Sequence, residues 1–253
     1  MKNISIYIVA HKEAKFPKKE GYKPIQVGGK EKFTNIRDNT GDNIAVKNPN
    51  FCELTAAYWI WKNDKTSDIV GLTHYRRYFF KSMFTNQVEK VLEKEEIENI
   101  LKDYDIIVPK KTRCLKYTVR EAYEKKHKVK DFDECRKIIE EKYPDYIEAF
   151  DYVANHKNVY LCNIFISNKK IFDEYYKWLF DILFTLEERT DISNYSDYDK
   201  RIYGFLSERL FNVWLKKNSQ LKIKPINVYN TDENFLKQLG TNAVLKVLVR
   251  KQA

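Results

Sequence analysis

Two hydrophobic periods alternate along this chain. Residues 4–9 form a β-branched apolar run, the pattern of a buried first strand. Residues 12–50 are polar, carry scattered Gly and Pro and show no helical period. They predict a long loop region with a short strand at 24–27, and loops of this length are uncommon unless they bind something. Residues 51–63 read as a helix, with Asn50 and Glu53 in the spacing of a capping box. Residues 68–73 predict a second strand. Residues 87–102 predict an amphipathic helix with Val88, Val91, Leu92, Ile97, Ile100 and Leu101 on its apolar side. A strand at 104–108 is stopped by Pro109. Short helices are expected at 118–127, 131–142 and 145–155, a strand at 159–167, and long helices at 169–188 and 197–217. A late strand at 222–228 and a basic helix at 241–251 complete the pattern.

Strands alternating with helices predict an α/β fold, a mostly parallel central sheet with helices on both faces. No repeat or linker interrupts it, so residues 1–253 are expected to form a single domain. Open α/β sheets bind ligands beyond the carboxyl ends of their strands. That rule directs attention to residues 11–12, 74–77, 109–112 and 163–167.

Composition narrows the classes. The net charge of +10 favours nucleic acid, anionic lipid surfaces or phosphorylated ligands as partners. Acidic residues are nevertheless spread throughout and no nucleic-acid motif is present, which argues against nucleic acid. Cys52, Cys114, Cys135 and Cys162 lack metal or C-x-x-C spacing and read as free thiols of a reducing compartment. The first apolar stretch is too short for a signal peptide, and no run of about 18 apolar residues exists. A cytoplasmic location is the expectation. The basic segment 246–251 suggests peripheral contact with the anionic inner face of the membrane. No P-loop, dinucleotide fingerprint, zincin or nucleophile-elbow motif is present.

The sharpest chemical signal is Gly71-Leu72-Thr73-His74-Tyr75-Arg76-Arg77, a buried strand running into His and two Arg. Alternation places His74 and Arg76 on one face of the strand and Tyr75 and Arg77 on the other. Guanidiniums offer fixed, bidentate donors suited to a diphosphate, and they neutralise its developing charge where a metal is absent. The stretch 37–48 clusters Asp38, Asp42 and Asn43 with Gly41, ahead of Lys47; with His11 it is a candidate nucleoside site. Trp59 and Trp61 cannot share a helix face, so one of them is available to a ligand. Asn163 interrupts an apolar strand and must be hydrogen-bonded, to brace the fold or to hold an acceptor. In the segment 199–210, Arg201 and Glu208 lie near one helix face; Glu208 is the best general-base candidate, with Asp199 or Asp42 as substitutes. His127 and His156 sit in Lys-rich stretches and read as solvated.

The strings CELTAAYWIWKN, VGLTHYRRYF, YLCNIFIS and YGFLSERL, in this order, resemble a family of bacterial capsular and exopolysaccharide synthesis glycosyltransferases. It is grouped under a domain of unknown function, and its members are often labelled galactofuranosyl- or galactosyltransferases. The resemblance runs from about residue 4 to residue 214. It implies a GT-A-like fold, with a nucleotide-sugar half at about 1–110 and an acceptor half with C-terminal helices at about 111–253. It also implies transfer of a hexose from a UDP-sugar to a saccharide or lipid-linked saccharide. Most GT-A enzymes carry Asp-x-Asp at the end of a central strand. Here such strings occur at 103–105, 131–133 and 197–199, and none follows an apolar strand. The strand ends in His74-Tyr75-Arg76-Arg77 instead, so a metal-independent reaction without cofactor is expected. A non-catalytic scaffold of polysaccharide assembly and a basic nucleic-acid-binding protein are the alternatives.

Overall fold

The computed structural model describes residues 2–29, 31–82, 84–114, 116–236 and 238; the helix expected at 241–251 lies outside them. The first half contains β1 (Ile4–Ala10), β2 (Tyr22–Gln26), β3 (Ile36–Arg37), α1 (Asn48–Phe51), α2 (Leu54–Asn63), β4 (Ile69–His74), β5 (Arg77–Phe79), α3 (Lys94–Asp103) and β6 (Ile106–Pro109). The second half contains β7 (Thr112–Arg113), α4 (Val119–Glu124), α5 (Val129–Lys142), α6 (Ile147–Asn155), β8 (Asn158–Val159), β9 (Phe165–Asn168), α7 (Lys169–Arg189), α8 (Ile202–Lys217), β10 (Ile223–Ile226) and β11 (Val228–Asn230).

The main sheet runs β10-β6-β9-β4-β1-β2-β3, with β5 on the end of β4 and β11 on β5. Pairings β1–β2, β1–β4, β2–β3 and β6–β10 are parallel, whereas β9 lies antiparallel between β4 and β6. The sheet is therefore mostly parallel, as expected, with one inverted central strand.

Every residue of β1 is buried. Ile4 and Ile6 point to one face with Ile69, Ile97 and Ile166, while Tyr7 and Val9 point to the other with Leu54, Leu72 and Phe165. Burial on both sides is what makes such a strand read as continuously apolar. Helices cover both faces unevenly: α2 and α4–α8 pack on the Tyr7 face, and α3 on the Ile6 face. Gly71 holds the centre. A Cβ there would lie 2.7 Å from Ile6 Cδ1 and 2.8 Å from Ile166 Cγ1, so only glycine lets β1, β4 and β9 close up.

Several expected elements break where the backbone turns left-handed. The helix expected at 51–63 splits at Cys52 (φ 54°) into α1 and α2. The strand expected at 159–167 begins in earnest only at Phe165, because Cys162 (φ 82°) and Asn163 (φ 47°) bend the chain first. The helix expected at 87–102 starts at Lys94; Glu93 caps it and Glu96 reaches back to the Glu93 amide. Ahead of it Val91 bridges to Phe80. The late strand divides at Asn227, because β10 pairs with β6 and β11 with β5.

Candidate active site

Parallel register sets Val9 of β1 beside His74 of β4, so the carboxyl ends of the two strands lie together. A cleft of about 490 Å³ opens there. One wall is the β4–β5 junction. His74 pairs with Arg77 across a tight antiparallel turn, and His74, Tyr75, Arg76 and Arg77 all line the cleft. The alternation expected for a continuing strand fails here because the chain reverses at Tyr75-Arg76, which delivers both guanidiniums to one space.

Among the described residues no carboxylate lies within ion-pairing reach of Arg76 or Arg77, and Arg76 Nε is buried without a hydrogen-bond partner. The Arg76 guanidinium lies 5.4 Å from the Tyr75 ring centre, and His11, at the rim, meets that ring edge-on at 5.1 Å. Burial, reinforced by Arg77 and Arg76, pushes the His74 pKa down to about 3, so its imidazole is neutral. Burial, then Lys12, Arg76 and Arg201, lowers that of His11. This wall thus carries its positive charge on the two arginines, with Lys12 beyond the rim 5.5 Å from the Tyr75 ring centre.

The opposite wall carries two carboxylates. Glu53 sits at the break between α1 and α2. Its Oε1 accepts a 2.8 Å hydrogen bond from Asn163 Nδ2, which also approaches Ser207 Oγ at 2.7 Å. Glu208, on α8, is tethered through both oxygens: Oε1 accepts from the Cys162 amide at 3.0 Å, and Oε2 pairs with Arg209 at 2.9 Å. Burial raises the pKa of both. The Asn163 hydrogen bond, Arg201 and Arg77 oppose the rise at Glu53. At Glu208 Arg209 opposes it and the charge of Glu53 adds to it. Arg201 reaches in from the start of α8, its Nε 3.2 Å from Cys52 Sγ. A Cβ on Gly204 would meet that sulfur at 3.3 Å, so the small residue lets α8 approach the helix break.

The residues singled out from sequence divide accordingly. Glu208, His74, Arg76, Arg77, His11 and Arg201 converge on the cleft. Asn163 stands behind Glu53 as a brace. Asp38 is buried near Thr55 without lining the cleft; burial raises its carboxyl pKa, and its Oδ2 has no partner. Asp42 and Asn43 build an exposed turn, Asp42 accepting from the Tyr58 hydroxyl and Asn43 bonding Gly41 and Ala45. Lys47 pairs with Glu187 of α7 at 2.6 Å. Trp59 donates to Thr40 and packs edge-on against Tyr7. Asp199 accepts from Ser196 outside the cleft. None of the Asp-x-Asp strings lines the cleft.

The sequence offers Glu53 as a cap or, second, as a catalytic carboxylate; its side chain makes no capping hydrogen bond. The signal available in sequence was a carboxylate beside Cys52 at the head of an apolar helix. His127, expected in solvent, is half-buried among aromatic rings.

Residues 5–219 match the model of a family described as "Domain of unknown function (DUF4422)". The chain belongs to this family. The span matched to DUF4422 contains every cleft residue named above, from His11 to Glu208. The chain is also similar to a solved structure described as "WbbM bifunctional glycosytransferase apo structure", at 32% identity and a TM-score of 0.84. The similarity covers 90% of this chain and 45% of that one, so this DUF4422 chain spans a little under half the length of that protein. No curated protein matches it.

Proposed function

We propose that this chain is a glycosyltransferase that moves a hexose from a UDP-sugar to a saccharide or lipid-linked saccharide acceptor, without a metal. Galactose and galactofuranose are the favoured sugars, and capsular or exopolysaccharide assembly at the inner face of the membrane the favoured setting. The observation that carries the reading is the cleft itself: two arginines outside ion-pairing reach of any described carboxylate share it with two half-buried carboxylates, at the carboxyl edge of the sheet. The similarity to a bifunctional glycosyltransferase supports the same class. No helix among the described residues is long and apolar enough to cross a membrane.

The chemistry follows from the walls. The bond between the anomeric carbon and the diphosphate breaks, and Arg76 and Arg77 neutralise the charge that develops on the leaving group. The neutral His74 sits beside them without adding charge. The acceptor hydroxyl bonds to the anomeric carbon and yields its proton to a carboxylate. Glu208 was the expected base, but both of its oxygens are engaged; Glu53, braced by Asn163, is the better placed acceptor, and Glu208 positions Arg209 and the 162–163 turn. Among the described residues no three metal-ligating side chains are gathered. The donor half at about 1–110 and the acceptor half at about 111–253 belong to the same proposal.

The test is a thermal-shift panel of UDP-, GDP-, CDP- and dTDP-sugars, each with EDTA or Mn²⁺. Ligand at 100 times its Kd stabilises a fold by about 2.7 kcal/mol, a shift of several degrees here. A shift with UDP-sugars in EDTA is the expected result. A shift only with Mn²⁺ refutes the arginine clamp, and no shift with any donor refutes the donor reading.

A further inference from the structure

Beside the cleft stands a group of rings that the transfer chemistry does not use. Phe205 of α8 lines the cleft. His127 stacks on it at 4.1 Å between centres and 30° between planes. Tyr198 lies 5.6 Å from His127 at 15°, and 5.0 Å from Phe205. Tyr123, fully buried, backs His127 at 4.7 Å. Tyr198 is 51% exposed, which is unusual for a ring so well supported from below. The Arg201 guanidinium lies 5.6 Å from the Phe205 centre while its Nε touches Cys52, so one side chain spans from these rings to the residue beside Glu53.

The rings overlap in an offset stack at the edge of the cleft, backed by the buried Tyr123, with Tyr198 half in solvent. His127 behaves as a third aromatic surface: Nδ1 is buried without a partner, and burial together with Arg209 keeps the ring neutral, its pKa pushed down to about 4. The neutral rings themselves offer a diphosphate no charge. They do suit a ring with one apolar C–H face and a rim of hydroxyls, because aromatic side chains combine apolar area with a polar edge.

We propose that Tyr198, His127 and Phe205 form a saccharide-stacking platform that receives the acceptor sugar and presents its hydroxyl toward Glu53. The proposal rests on the glycosyltransferase reading for the role of the sugar, but the binding itself is tested independently. Tyr198, half in solvent, is the residue to change, since its loss leaves the fold intact.

The experiment is saturation-transfer NMR on the full chain with a panel of methyl hexosides, pyranosides and furanosides, with and without saturating UDP. UDP affinity is measured in parallel by calorimetry. Wild type is expected to transfer magnetisation to the ring C–H protons of at least one hexoside. Tyr198→Ala should weaken that binding about three- to tenfold, as loss of one aromatic contact does. Tyr198→Phe should keep it, and UDP affinity should be unchanged in both. The platform is refuted if no hexoside contacts the protein, if Tyr198→Ala binds as wild type does, or if Tyr198→Phe loses as much as Tyr198→Ala. Hexoside binding that depends on Tyr198 in a protein that ignores UDP would leave the platform standing and overturn the donor reading. UDP binding with no hexoside contact would do the reverse.

Discussion

Asn163 Nδ2 donates a 2.8 Å hydrogen bond to Oε1 of Glu53 across 110 residues of sequence. Both partners sit at backbone breaks: Asn163 is itself left-handed, and Glu53 follows the left-handed Cys52. The two breaks meet in space, and their contact holds a half-buried carboxylate in the cleft wall.

Replacing Glu53 tests whether that carboxylate takes the proton. Glu53→Gln should lower kcat about 10²- to 10⁴-fold, the usual contribution of a general base, with UDP affinity near that of wild type. Steady-state kinetics with calorimetry separates the two. Full turnover in Glu53→Gln returns the role to Glu208. Asn163→Ala should cost about 1–3 kcal/mol by stranding buried partners, and lower kcat through a misplaced Glu53.

The arginines should matter for activity and not for stability. They hold no carboxylate, so Arg76→Lys and Arg77→Lys should each shift stability by no more than about 0.5 kcal/mol. Each should lower donor kcat/KM about 10²- to 10³-fold, because lysine keeps the charge and loses the fork. A variant that melts early while keeping kcat/KM would mark a structural arginine.

The buried titratable groups set opposite pH dependences. Glu53 and Glu208 bind protons more tightly folded than unfolded, where the ordinary value is 4.5. Their contribution to stability is greatest at low pH and declines as pH rises from 4.5 through the raised values. Glu53→Gln should therefore melt no lower than wild type at neutral pH, and its gain should vanish near pH 4. His74 has the reverse sign. Its pKa falls from 6.5 to about 3 on folding, so its contribution is present above pH 6.5 and is lost as pH drops toward 3. Melting curves of His74→Gln across that window should show a shallower acid loss; an unchanged slope would show that His74 is not protonated on unfolding.

Gly71 offers a test of the sheet alone. The Cβ of Gly71→Ala would press on Ile6 and Ile166 from within the core. Overpacking of this kind costs about 1–3 kcal/mol, or about 2–12 °C in Tm at this chain length. Calorimetry that finds Gly71→Ala as stable as wild type would mean that β1 and β9 can move apart.

Much of this was legible in the amino-acid order. The runs at 4–9 and 68–73 announced β1 and β4, because a strand buried on both faces must be apolar throughout. The long apolar stripes at 169–188 and 197–217 announced α7 and α8. His74-Tyr75-Arg76-Arg77 stood out because cations directly after a core strand call for a partner. The resemblance of four strings to a family grouped under a domain of unknown function agrees with the DUF4422 match over residues 5–219. What sequence could not supply was the meeting of distant segments. Left-handed turns at Cys52, Cys162 and Asn163 leave no periodic trace, since any single residue interrupts a helix or strand pattern only weakly. The inversion of β9 depends on which neighbours its edges find. Glu53 looked like a cap because its own neighbourhood resembles one; only the long-range hydrogen bond from Asn163 and the approach of α8 at Gly204 turn it toward the cleft. Local burial is written in spacing along the chain, whereas a site assembled from residues 53, 74–77, 163 and 201–208 is decided by packing.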